Sequence, residues 1–125
     1  MKRASILGLE VSVIWALALT TITPFCGQLF SCGCALAGGM SECNIWQDTG
    51  PQCPWCSYGM AGFYVPFAVI LLAIAVGTAA GQQWGLGTWW SGLLGGLLSY
   101  LGAGLLVGLL TALYRGYPLF LWWRF

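Results

Sequence analysis

Three apolar runs, each long enough to cross a hydrocarbon core as a helix, constrain this chain more than any other feature. About 20 helical residues span a bilayer. The runs cover about 5–25, 61–81 and 88–114, with an aromatic tail at 115–125. Composition agrees: 59% of the 125 residues are hydrophobic and 6% are charged, against roughly 25% charged in an ordinary soluble domain. Seven charged side chains cannot cover a soluble surface of this size. The predicted fold is an all-α integral membrane protein forming one domain, with three transmembrane helices and a cysteine-rich loop at 26–60 between the first two.

The first run is broken only by Glu10 and closed by Pro24. Pro66 sits near the start of the second, where proline is tolerated. The third is longer than a span requires, so it tilts or emerges at one end. Gln82-Gln83-Trp84-Gly85-Leu86-Gly87 makes a tight connection between the second and third. Lys2 and Arg3 ahead of an apolar stretch, with Ala16-Leu17-Ala18 behind, also have the layout of a signal peptide. The run is fuller than such a segment's usual apolar region, so an uncleaved helix is the reading. The positive-inside count is a tie between Lys2 and Arg3 at one end and Arg115 and Arg124 at the other. Dominance of the first helix, and the persistence of cysteines in oxidising compartments, break it. The expected placement is a plasma or inner membrane, N-terminus cytoplasmic and loop exoplasmic.

Several function classes drop out. A formal charge of +1, with four cations split between the ends, makes no nucleic-acid stripe. There is no histidine, which removes imidazole metal sites and Ser-His or Cys-His catalysis. The acids are Glu10, Glu42 and Asp48, of which the last two are six apart in the loop. That argues against enzymes built on paired carboxylates.

The third run carries a face pattern that apolar composition alone does not produce. Leu93, Leu97, Leu101, Leu105, Leu109 and Leu113 recur at spacing four, flanked by Leu94, Leu98, Leu106 and Leu110. The opposite rows are small: Ser91, Gly95, Ser99, Ala103, then Gly92, Gly96, Gly104, Gly108 and Ala112. The first run has Ala4, Gly8, Ser12, Ala16 and Thr20, and the second Ala73, Gly77 and Gly81. In lipid, helices associate through close backbone approach, which small residues permit. These rows are therefore expected to pack the helices on one another and onto other chains, either other membrane subunits or copies of the protein itself. Glu10 lies away from the Gly8–Ser12 seam. An intramembrane carboxylate is costly and a functional candidate by default; the plainer expectation is that it snorkels to the headgroups or reaches Arg3. The tail residues and the Trp89–Trp90 pair suit interfacial anchors.

All six cysteines fall in one stretch: Cys26, Cys32, Cys34, Cys43, Cys53 and Cys56. The loop has no lysine or arginine and little evident core. An even count there reads as a disulfide framework with 15 possible connectivities, although Cys32 and Cys34 are too close to bond comfortably to each other. Cys53-Pro-Trp-Cys56 instead has the shape of a thiol–disulfide exchange centre. Its place before the second span is similar to that of the active pair in the DsbB family of membrane oxidoreductases. That family has four spans, a second exoplasmic pair and a basic residue near the motif for its quinone; here the arginines flanking the motif in sequence, Arg3 and Arg115, are both far from it. A third reading takes Cys32, Cys34, Cys53 and Cys56 as four thiolates for zinc or an iron–sulfur cluster. A soft-metal path through the membrane would want cysteines inside the spans, and the runs hold none.

The sequence thus reads as a small non-catalytic membrane subunit or protomer without a cofactor. It suits an accessory subunit of an energy-transducing complex, or a repeating protomer similar in outline to conjugative-type pilins, whose turn is usually basic where this one is uncharged. The oxidoreductase is the alternative from another class, and a metal-binding loop the lesser one.

Overall fold

The structure, a computed structural model, describes residues 2–34, 41–84 and 89–124, with the side chains of Lys2, Met60 and Trp89 outside the description. Residues 35–40 of the loop and 85–88 of the connection therefore lie outside it, as does the proposed anchoring side chain of Trp89. The described residues form α1 (Lys2–Phe30), a 3-10 turn at Asn44–Trp46, α2 (Gly59–Gln83), α3 (Trp89–Arg115), and the strands β1 (Leu119–Phe120) and β2 (Trp123–Arg124). All three helices are long and apolar enough to cross a membrane, over 28, 23 and 26 residues.

α1 runs five residues past the expected end, through Pro24. Proline removes one backbone donor but does not stop a helix whose surroundings re-satisfy the freed group. Cys26 consequently lies on a helix long and apolar enough to cross a membrane, and not in the loop. β1 and β2 pair antiparallel, Leu119 with Arg124 and Phe120 with Trp123. Leu121 and Trp122 both take positive φ, as a two-residue hairpin turn demands.

By contacts the chain divides into two compact units, to which each helix contributes a part. The helical unit comprises Met1–Leu19 and Ala68–Gly104. Its buried stripe on α1 is Glu10, Ile14 and Ala18, and on α2 Ile70, Ile74 and Thr78. α3 contributes Ser91, Gly92, Gly95, Gly96 and Tyr100, all buried. The approach of α2 to α3 is set by glycine: a methyl group on Gly95 would overlap the Gly77 carbonyl, and one on Gly81 the Ser91 carbonyl. Gly96 faces Ile14 and Thr78 with equally little room. The indole of Trp15 donates to the Leu71 carbonyl at 3.2 Å. Leu94, Leu97, Leu98 and Leu101 point outward.

The cysteine unit comprises Thr20–Phe67 and Leu105–Phe125. It has the core that the loop's composition concealed. Phe30 meets Trp55, Tyr117 and Phe120 edge to face, with ring centroids 5.2, 5.6 and 6.2 Å away. The tail therefore folds back instead of only anchoring: Leu121 N–H donates to the Leu29 carbonyl at 2.8 Å. Tyr117 and Phe120 are buried, while Trp122 and Trp123 stay exposed.

Candidate metal centre

After α1 the chain reverses sharply. Ser31 and Gly33 take positive φ, a conformation that Gly33 adopts without a Cβ penalty. The returning strand lies on Gly27, where any side chain would overlap the Cys34 carbonyl. This reversal returns Cys32 and Cys34 to Cys26, with sulfur separations of 3.9 Å for Cys26–Cys32 and 3.6 Å for Cys32–Cys34. The second sequence pair arrives on a helical turn: Cys56 N–H donates to the Cys53 carbonyl at 3.2 Å, and Ser57 N–H to the same carbonyl at 2.9 Å. Cys53 Sγ reaches 3.4 Å from Cys26 Sγ.

Asn44 holds these pieces together. Its N–H donates to the Cys32 carbonyl at 2.7 Å, and its Oδ1 accepts from Cys53 N–H at 2.7 Å. Its Nδ2 donates to the Pro51 carbonyl and to the Tyr117 hydroxyl, each at 3.0 Å. Tyr117 in turn donates to the Phe30 carbonyl at 2.8 Å. Burial pushes the Tyr117 phenol up to about 12, so it remains a donor. Sequence reasoning missed Asn44, because nothing in a lone asparagine beside Cys43 marks it out.

The outcome is a single cage of sulfur. Five cysteines are buried and Cys56 is half-buried. Four triads that share no pair take in all six, with the sulfurs of each within 4.8 Å of one another: Cys26–Cys32–Cys53, Cys26–Cys34–Cys56, Cys32–Cys34–Cys43 and Cys43–Cys53–Cys56. None of the six is at bonding distance from another, a bond requiring about 2.05 Å. Hydrogen bonding from Cys26 and then from Cys53 lowers the Cys56 thiol to about 5. Cys34 is lowered as well, first by Cys26, whereas burial pushes Cys43 up.

The cage redistributes the sequence-predicted residues. Cys53 and Cys56 are brought together, but Cys53 is fully buried and only Cys56 is reachable. Exchange chemistry wants the attacking thiolate exposed, and the first cysteine of this motif is the covered one. Nor do Cys32, Cys34, Cys53 and Cys56 make the tetrahedral site considered above. Cys32 shares no triad with Cys56, and Cys34 shares none with Cys53. Beside the motif lies a hollow of about 450 Å³ lined by Gln52, Ser57, Tyr58, Arg115 and Tyr117. The Arg115 guanidinium stacks 3.5 Å from the Tyr58 ring centroid there.

Of the helix-packing candidates, Gly92, Gly95, Gly96, Gly104 and Gly108 are buried, and Gly77 and Ser99 are partly covered. Gly8, Ser12 and Ala16 are exposed instead. α1 uses the row containing Glu10, since that row carries the bulk of Ile14. Glu10 neither snorkels nor reaches toward Arg3: it is buried, with Oε2 accepting from Gln82 Nε2 at 2.6 Å. The absence of a side chain at Gly92 leaves room for its carboxyl, and Oε1 has no partner.

No protein-family profile matches the chain, and no curated protein or solved structure is detectably similar to it.

Proposed function

We propose that this is a small non-catalytic membrane protein whose cysteine unit binds soft, thiophilic metal. One observation carries the reading: six cysteine sulfurs from four chain segments converge on one largely buried volume. Thiolates select cuprous, zinc and iron–sulfur centres, and the acids Glu42 and Asp48 take no part in the sulfur triads. In this reading metal staples the loop in place of disulfides. The side of the membrane is part of the proposal, with the N-terminus cytoplasmic and the cage exoplasmic. Coordination and burial together protect the thiolates from an oxidising compartment.

A second element concerns assembly. The exposed small row of Ala4, Gly8, Ser12 and Ala16 on α1 supports a subunit role beside another membrane chain or another copy, since such rows permit close helix approach.

The test is elemental analysis and intact mass of protein purified in mild detergent without chelator. Retained metal with six alkylatable thiols after its removal is the expected result. A metal-free protein six protons lighter than its reduced mass would establish the three-disulfide cap instead. A free, reactive Cys53–Cys56 pair would favour exchange chemistry. An impermeant thiol reagent, applied to intact cells after metal removal, should label the cage; labelling only after permeabilisation would put it in the cytosol.

A further inference from the structure

The metal-binding reading leaves open which metal and how many ions. The arrangement of the sulfurs narrows both. No two of the four triads share more than one cysteine, and every cysteine belongs to two. Twelve of the fifteen sulfur pairs are thus within 4.8 Å, leaving only Cys26/Cys43, Cys32/Cys56 and Cys34/Cys53 unjoined. Six points with three non-neighbouring pairs are the corners of an octahedron. All eight faces of that octahedron have edges within 4.8 Å, and the four triads named above are one set of alternate faces, no two sharing an edge.

This pattern selects against tetrahedral ions. Zinc in a structural site takes four ligands in a tetrahedron, and bonds of about 2.3 Å place all four sulfurs mutually about 3.8 Å apart. Any four corners of an octahedron include at least one opposite pair. No foursome of these cysteines forms a mutually close group. Neither one zinc nor a two-zinc cluster with shared thiolates finds its ligand set. An iron–sulfur cluster needs its thiolates spread around a core of iron and sulfide, whereas these sulfurs crowd one another at 3.4–3.9 Å. A single divalent ion at the centre would leave six thiolates carrying four uncompensated charges in a buried volume, which is costly.

Trigonal ions fit. A three-coordinate ion with bonds of about 2.3 Å spreads its sulfurs about 4 Å apart, close to the separations observed within the triads. Cuprous copper is the soft monovalent ion that thiolates select, and it accepts three ligands. Ions on two faces that share an edge would collide, so alternate faces are the most that can fill; we propose that the six cysteines hold four cuprous ions on four alternate faces, with every thiolate bridging two ions. This inference rests on the metal-binding reading above. The balance closes without electron transfer: four monovalent cations replace six thiol protons, which leave to solvent, and the cluster carries a net charge of two minus. Cys56, the half-buried corner next to Ser57 of the hollow, is where ions enter.

The experiment uses the full chain in detergent, reduced and stripped of metal under anaerobic conditions. It is titrated with cuprous ion supplied as its acetonitrile complex. Bound copper per chain, alkylatable thiols and copper X-ray absorption are followed together. The expected result is cooperative uptake to a plateau of four ions, loss of all six reactive thiols, and an absorption signature of three sulfur neighbours with nearby copper. A plateau at one or two ions, or tighter retention of zinc than of copper, would overturn the cluster while leaving the metal-binding reading intact. No protection of thiols by copper, zinc or cadmium would overturn both. Cys56→Ser supplies the second arm: it removes a bridge shared by two ions, so the plateau should fall below four and the copper–copper signal should weaken. An unchanged plateau and signal would remove Cys56 from the cage and sink the six-sulfur arrangement.

Discussion

The two units solve the same problem, holding chain segments together around small cores, by opposite means. In the helical unit the solution is subtraction: side chains are removed at Gly77, Gly81, Gly92, Gly95 and Gly96, so that backbones meet. In the cysteine unit it is addition, of sulfur, aromatic rings and one asparagine bonded to Cys32, Pro51, Cys53 and Tyr117. The first depends on shape and tolerates no bulk. The second depends on a ligand set and on polar geometry. Each should therefore fail under a perturbation that the other survives.

The largest effect should come from taking metal away. Where a site is assembled only in the folded state, binding free energy is folding free energy, on the order of 10 kcal/mol for structural thiolate sites. Stripping metal under reducing conditions should raise amide exchange at Cys32, Cys34, Asn44 and Cys53 by several orders of magnitude. Exchange at Ile70, Ile74 and Thr78 should be unaffected. Uniform loosening of both sets would break the comparison, because the units would then be stabilised by a common cause.

Next comes bulk in the helical unit. Gly96 faces Ile14 and Thr78 with no room for a methyl group, and overpacking a filled interior costs about 1–3 kcal/mol. Gly96→Leu should lower the thermal midpoint in detergent and leave metal uptake intact. Leu97→Ala, on the exposed side of the same helix, should stay within about 0.5 kcal/mol of the parent, as surface changes usually do. Equal sensitivity of the two would mean that the small face of α3 is an accident of composition.

Which of these features the sequence displays follows from their range. The small and leucine faces of α3 are periodic, and periodicity is local, so the buried glycines and the outward leucines could be read directly from spacing. The cage is not periodic. Cys26 joins Cys53 only because Gly27 admits the Cys34 carbonyl and because Asn44 links Cys32 to Cys53. None of those three conditions has a signature in a single chain. The exposure of Gly8, Ser12 and Ala16 was hidden for a related reason: α1 carries two plausible faces, and only the partners on α2 and α3 choose between them.

Asn44→Ala should have a smaller and more selective effect than Gly96→Leu. It deletes the side-chain acceptor of Cys53 N–H and the donor to Tyr117 and Pro51. A buried group left without its partner typically costs about 1–3 kcal/mol, reduced here because Asn44 is only partly buried. Metal affinity should weaken while the midpoint of the helical unit holds. Asn44→Asp keeps the acceptor and loses the donor, so it should fall between. Undiminished metal affinity in Asn44→Ala would show that the cysteines find one another without it.

The smallest effect should come from Glu10→Gln, and it tests whether the helical unit holds anything besides shape. Glu10 is its one buried acid, with a single recorded donor, Gln82 Nε2, and an Oε1 without a partner. A carboxyl satisfied at one oxygen is poorly compensated for burial in so apolar a helix. An amide of the same shape can still accept from Gln82 through its oxygen, and it carries no charge. Its new N–H₂ group replaces an oxygen that had no donor to lose. The carboxyl's unpartnered oxygen and the amide's unpartnered N–H₂ group oppose each other in this exchange, each on the order of 1–2 kcal/mol. The midpoint should therefore move by less than about 1 kcal/mol. Gly92→Ala in the same place should cost more, because its methyl group would overlap the Glu10 carboxyl. A large loss on Glu10→Gln would mean that the negative charge itself holds the helices, and shape would no longer separate this unit from the other. A small change with a larger one at Gly92 keeps the distinction, and marks Glu10 as a carboxyl that the fold accommodates rather than requires.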